Sequence, residues 1–167
     1  VTGAMDAVAA LDRIAECERD VTELKAAARE PEGDGPRATV RKLREVVDRA
    51  ATLTRAGRSK EAAALLRPVA TEAEKLGFDA IVAEVELALA EVEKPLGELA
   101  AAERRLYAAI AAAARAQDHR RVARAWRKLL YLVGYHRARF DEAAAIEPAV
   151  DAAHAQAGAD RHDGARL

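Results

Sequence analysis

The sequence predicts an all-α protein: an α-solenoid of about three antiparallel helix pairs, with a helical segment ahead of them. Three observations carry this. About a quarter of the 167 residues are alanine, the best helix former, with Glu, Arg, Leu and Lys close behind. Aromatic residues make up 4% and strand formers are scarce, which argues against a sandwich, a barrel or a Rossmann sheet. Two kinds of helix punctuation recur along the chain with a common period.

The first mark is a tight turn followed by a helix: Gly57-Arg58-Ser59-Lys60-Glu61-Ala62, Gly97-Glu98-Leu99-Ala100-Ala101-Ala102 and Ala138-Arg139-Phe140-Asp141-Glu142-Ala143. Gly57 to Gly97 is a step of 40 and Gly97 to Ala138 a step of 41. The second mark is a helix stop at Leu76-Gly77-Phe78-Asp79, Ala116-Gln117-Asp118-His119 and Ala157-Gly158-Ala159-Asp160. Gly77, Gln117 and Gly158 are again spaced by 40 and then 41. Both marks share the period and its single-residue slip.

Two helices fit each period. Glycine past a helix end supplies a left-handed cap, and Asp79, Asp118 and Asp160 suit the N-cap of the next helix. The expected helices are α1 from about Arg37 to Ala56, α2 from Ser59 to Leu76, α3 from Asp79 to Lys94, α4 from Glu98 to Ala116, α5 from Asp118 to Arg137 and α6 from Phe140 to Ala157. The repeats then cover 37–77, 78–117 and 118–158. Ahead of them lies a helical segment within residues 1–30 (from Asp6 to Glu30), joined by a linker at 31–36, Pro31-Glu32-Gly33-Asp34-Gly35-Pro36. Residues 159–167 read as the start of a further repeat cut short. The chain opens on Val1, and Gly3-Ala4-Met5 reads as a cloning scar, so both ends suggest a fragment.

Helix pairs of this size bury their apolar faces only against a neighbour. Ala62, Ala102 and Ala143 stand five residues after each turn residue, where a small side chain lets the paired helices close. Pro95 ends α3 early, and Pro68 and Pro148, inside α2 and α6, predict kinks.

A turn glycine followed by alanine five residues on, in a two-helix repeat, resembles the tetratricopeptide repeat. That repeat is about 34 residues long, so the longer period here implies longer helices. The aromatic expected two residues after the turn is Ser59 and Leu99 in the first two repeats, and only Phe140 fits. Leu129-Leu130-Tyr131-Leu132-Val133-Gly134-Tyr135-His136-Arg137-Ala138-Arg139-Phe140-Asp141-Glu142-Ala143, preceded by Ala125-Trp126, resembles the repeat region that follows the kinase domain in large bacterial serine/threonine protein kinases of the myxobacterial type. Ala7-Val8-Ala9-Ala10-Leu11, with Cys17 behind it, resembles the segment introducing that region. The similarity covers most of residues 6 to 167. It implies a stack with a right-handed superhelical twist, whose odd-numbered helices line a concave groove that takes a protein or peptide.

Composition excludes several functions. The net charge of -1 steers the whole chain to neither nucleic acid nor membrane. The longest apolar run, Ala108 to Ala114, is too short to span a bilayer, and no secretory signal is visible. One cysteine, Cys17, allows no internal disulfide, so a reducing compartment, the cytoplasm, is expected. No glycine-rich phosphate loop, strand lysine or catalytic aspartate set is present, and Asp118-His119-Arg120-Arg121 lacks the order of a kinase catalytic loop. No enzyme activity and no cofactor are therefore expected of this chain. His154, Asp160, His162 and Asp163 lie close in sequence but read as a solvated turn and terminus, so no metal is expected. His136 reads as a core or interface histidine and Cys17 as a small buried hydrophobe.

α5 carries the most information. At 100° per residue, Val122, Ala125, Trp126, Leu129, Leu132 and Val133 share a buried arc, with Trp126 as core. Arg120, Arg124, Arg127, Lys128, Tyr131 and Tyr135 share the other. From His119 to Arg139 there are seven Lys or Arg and no acid, and four of the six aromatics lie in or just after this helix. α3 has the opposite sign, with Asp79, Glu84, Glu86, Glu91 and Glu93. Glu84 and Arg124 stand one period apart, at equivalent positions. Two compatible readings arise. α3 and α5 attract each other and set the register of the stack, or the surplus cations and the tyrosines take an acidic segment, since Arg and Tyr favour interaction hot spots. The expected function is a protein-interaction scaffold, a regulatory or partner-recruiting region of a kinase. The alternative is a structural module that oligomerises or spaces domains. Nucleic-acid binding is disfavoured by the shortness of the basic patch beside acidic α3.

Overall fold

The computed structural model describes residues 31–158. Among these residues there are six α-helices and no strand: α1 (Asp34–Arg55), α2 (Ser59–Leu76), α3 (Asp79–Glu93), α4 (Leu99–Arg115), α5 (His119–Tyr131), which runs into a π-helical turn at Leu132–His136, and α6 (Phe140–Gln156). The expected N-terminal segment, Cys17 and the shortened repeat with Asp160, His162 and Asp163 lie outside the described residues.

The periodic marks are marks in the backbone. Gly57, Gly97 and Ala138 have φ of 76°, 76° and 51°, and Gly77, Gln117 and Gly158 have 67°, 57° and 62°. Among the described residues only Gly33 adds to this left-handed set. At three of these ends a 6→1 hydrogen bond closes the cap: Arg58 N to Leu53 O at 2.9 Å, Glu98 N to Glu93 O at 3.0 Å, and Asp118 N to Ala113 O at 2.9 Å. At the fourth, Arg139 N reaches one residue further back, to Val133 O at 3.0 Å.

That extra residue explains the slip in the period. Both longer intervals contain Leu132–His136, and both shorter ones lack it. The sequence predicts one regular helix to Arg137. The structure instead absorbs the added residue by widening the last turn, with Arg137 N bonded to Leu132 O at 3.0 Å. The widened turn also rotates the residues after it, and the uniform helical step fails at His136. His136 is therefore exposed rather than set on the apolar side.

Other boundaries differ for local reasons. α1 begins at Asp34, so half of the expected linker is helical, with Pro36 in the first turn where its missing N–H costs nothing. Asp118 caps α5, its carboxylate accepting Arg121 N at 2.9 Å. Asp79 does not cap α3; Phe78 holds that position and Asp79 pairs with Arg115 at 2.8 Å. α3 stops at Glu93, two residues before Pro95. α2 and α6 run on through Pro68 and Pro148, both of which are exposed.

Connections of two to five residues turn the chain back between helices. Each helix packs on the next in sequence, and α1 also touches α3. α3 lies at the centre. Its Ile81, Val85, Leu89 and Val92 join Leu43, Leu66 and Val69 in one apolar cluster. Its Leu87 and Ala90 join Leu106, Leu129, Leu132 and Val133 in a second. Ala62 and Ala102 are fully buried, as a close helix approach requires, and Ala143 is half-buried. A methyl group at Gly134 would stand 3.3 Å from the Ala143 side chain, so the third approach is set by a small residue on each side.

Candidate functional site

α5 divides as its pattern predicts at most positions. Ala125, Leu129, Leu132 and Val133 are buried, and Trp126 is half-buried against the same cluster. Trp126 meets Tyr107 of α4 edge to face, with ring centroids 6.4 Å apart. On the opposite face Arg120, Arg124 and Arg127 are exposed. None of the three has an ion pair or hydrogen bond among the described residues. Tyr131 is 50% and Tyr135 71% exposed. Their rings stack at 5.0 Å, with His136 edge-on to both. Phe140, at the start of α6, is 71% exposed.

The structure separates Lys128 from this stripe. Its Nζ donates to Glu91 of α3 at 2.8 Å and it is largely covered. Burial pushes the Glu91 carboxyl up, but Lys128 and Lys94 outweigh it and hold the group below its ordinary range.

Glu84 does not meet Arg124. It takes two hydrogen bonds at 3.2 Å from Arg44 of α1, and a third at 3.2 Å from Arg121 of α5. Glu84 is thus a bridge between three helices and not an open binding group. Arg44 was recoverable from the sequence, since it stands one period before Glu84. Arg121 lies one turn before Arg124 in the same basic run, and only the relative shift of α3 and α5 selects it.

A second electrostatic centre carries no sequence signal beyond acids in an apolar stretch. Glu86 and Glu93 of α3 are each only 2% exposed. They share Arg105 of α4, at 3.1 Å and 3.6 Å respectively. Glu93 Oε2 is buried without a hydrogen-bond partner among the described residues. Burial drives both carboxyls above their ordinary range, against the pull of Arg105. Between α4 and the end of α5, Glu103 accepts from Arg137 and Arg139, and Arg139 also pairs with Glu142.

Among the described residues, no group of three or more His, Cys, Asp or Glu is placed to hold a metal ion. No helix there is long and apolar enough to cross a membrane. The α5 stripe sets three exposed arginines, unpaired among the described residues, beside two stacked, exposed tyrosines. Its chemistry suits carboxylates, because guanidinium donates two parallel hydrogen bonds and tyrosine adds apolar area at little entropic cost. No family model matches the chain, and no curated protein or solved structure does.

Proposed function

We propose that this chain is a protein-interaction scaffold of the tetratricopeptide kind, whose α5 face recruits an acidic polypeptide segment. In this reading the six helices are three pairs of a right-handed solenoid, acting in the cytoplasm as a regulatory region of a bacterial serine/threonine protein kinase in signalling. Arg120, Arg124, Arg127, Tyr131 and Tyr135 make the contact, and Lys128 and Glu84 brace the helices behind it. The solenoid is supported by left-handed caps that recur with the period of the sequence marks and by the packing of each helix on the next. The kinase association rests on the resemblance of residues 125–143.

The single observation that carries the function is the stripe of three exposed arginines, unpaired among the described residues, beside two exposed tyrosines. Every other Lys or Arg of α5 is engaged by an acid of α3 or by the helix's own cap. Selection from a displayed random-peptide library, counter-selected with Arg124→Glu/Arg127→Glu, tests it. Enriched peptides should carry net negative charge and lose binding to the double variant. Failure to enrich any peptide, or enrichment of neutral or basic peptides that bind the variant equally, overturns the proposal. The chain itself should transfer no phosphoryl group from ATP with magnesium, because its sequence holds neither the glycine-rich phosphate loop nor the catalytic-loop motif of a kinase.

A further inference from the structure

The stack contains its own template for what α5 lacks. Position 84 of α3 reaches forward to α5, where Glu84 meets Arg121 at 3.2 Å. Position 91, two turns on along the same face, does the same, where Glu91 meets Lys128 at 2.8 Å. Each contact spans 37 residues, so the two pairs define one helix-on-helix register with anchors seven residues apart. Position 44 of α1 also reaches forward, but over a full period of 40 residues, with Arg44 meeting Glu84 at 3.2 Å.

One period further on, positions 84 and 91 become Arg124 and Tyr131. Both precede the π turn, so the shorter period applies to them unchanged. Both are exposed, and neither has an ion pair or hydrogen bond among the described residues. Seven residues apart, they lie on one side of α5 as Glu84 and Glu91 lie on one side of α3. The other end of the row differs: α1 exposes no large hydrophobic side chain, whereas Tyr131, Tyr135 and Phe140 are all exposed near α5.

Resting on the scaffold reading above, we infer that the partner of α5 is an acidic amphipathic helix bridged to it by side chains in the register in which Glu84–Arg121 and Glu91–Lys128 bridge α3 and α5. That helix carries a carboxylate at a position n, which meets Arg124. It carries an aliphatic side chain at n+7, which covers Tyr131 and the stacked Tyr135. Charge selects the occupant. The charged groups of the α5 stripe are all cations, so the same face of a second copy would set arginine against arginine, whereas acidic residues at n and its neighbours n-4 and n+3 answer Arg124, Arg120 and Arg127.

Two stapled, fluorescein-labelled helical peptides of identical composition test the inference by anisotropy at 150 mM salt. One has Glu at n-4, n and n+3 with Leu at n+7, and the other has the same residues with Leu moved to the opposite face. The first should bind at least tenfold more tightly than the second. Arg124→Glu and Tyr131→Ala should each weaken it at least tenfold without altering the melting curve. An Arg at n in the peptide should restore binding to Arg124→Glu. Equal binding of the two peptides overturns the docking register while leaving acidic recognition standing. Binding of neither, with no acidic peptides from the library, removes both. Tighter binding of a single-stranded oligonucleotide, lost in Arg124→Glu, would reassign the face to nucleic acid and overturn the inference.

Discussion

Arg105→Ala should turn a neutral-pH fold into an acid-preferring one. Glu86 and Glu93 are both 2% exposed and share this one guanidinium, while Glu93 Oε2 has no hydrogen-bond partner among the described residues. Removing the cation from a buried pair costs about 3–5 kcal/mol, because the stranded charge has no solvent to return to. Arg105 is 31% exposed, which lets water in as it leaves, so the lower end, about 3 kcal/mol at pH 7, applies. For a helical domain of this size that lowers Tm by about 10 °C. Both carboxyls stand above their ordinary value of 4.5 in the folded chain, through burial first. Between 4.5 and the raised values the folded state binds more protons than the unfolded one, so stability from these groups falls as pH rises through that window. Loss of Arg105 raises the window further. Urea denaturation at pH 7 and pH 5 should therefore show the larger penalty at pH 7 and a smaller one at pH 5. In a Glu86→Gln/Glu93→Gln background the same substitution should cost less than about 1 kcal/mol. An equal penalty at the two pH values, or one below about 1 kcal/mol at pH 7, would refute the reasoning.

Ala102→Leu should destabilise by about 1–3 kcal/mol, since the added carbons have no space in a fully buried contact; unchanged thermal melting would show that the repeat register is misplaced. At the left-handed turn positions, Ala138→Gly should gain about 0.5–1 kcal/mol and Gly97→Ala should lose about 1 kcal/mol. Chemical denaturation giving the reverse order would contradict the periodic caps. Lys128→Met should lower stability near pH 7 by up to about 1 kcal/mol. The difference should vanish as pH falls through the depressed range of Glu91, because a lowered carboxyl stabilises only while ionised. A loss that persists in acid would point to packing instead of the ion pair.

The number, order and period of the six described helices were legible because glycine and its substitutes mark where the chain must turn left-handed, and that demand is local. Six marks read from spacing all carry positive φ, including Gln117 and Ala138, where residue type alone gives no hint. The π turn was visible only as an extra residue in the period, because nothing in Leu132–His136 distinguishes a widened turn from a regular one. That is why His136 was misplaced while Leu129 was not. Arg120, Arg124, Arg127, Tyr131 and Tyr135 were legible as one helical face. Lys128 was not, because its reach to Glu91 depends on how α5 shifts along α3. The same shift takes Glu84 from Arg124 to Arg121. Charge pairing between helices is a tertiary choice among neighbours on the same face. Glu86 and Glu93 show the limit most clearly, since their burial comes from α3 lying between the two apolar clusters.

The most direct test of acidic recognition by α5 is a titration of the uniformly 15N-labelled chain with an acidic peptide recovered from the library, read through amide and arginine Nε–H shifts. Saturable changes should concentrate at Arg120, Arg124, Arg127, Tyr131 and Tyr135, with the Nε–H signals of Arg44 and Arg121 nearly still because Glu84 already holds them. Changes centred on α1 and α2, or release of Arg121 from Glu84 in place of a response at Arg124, would contradict it.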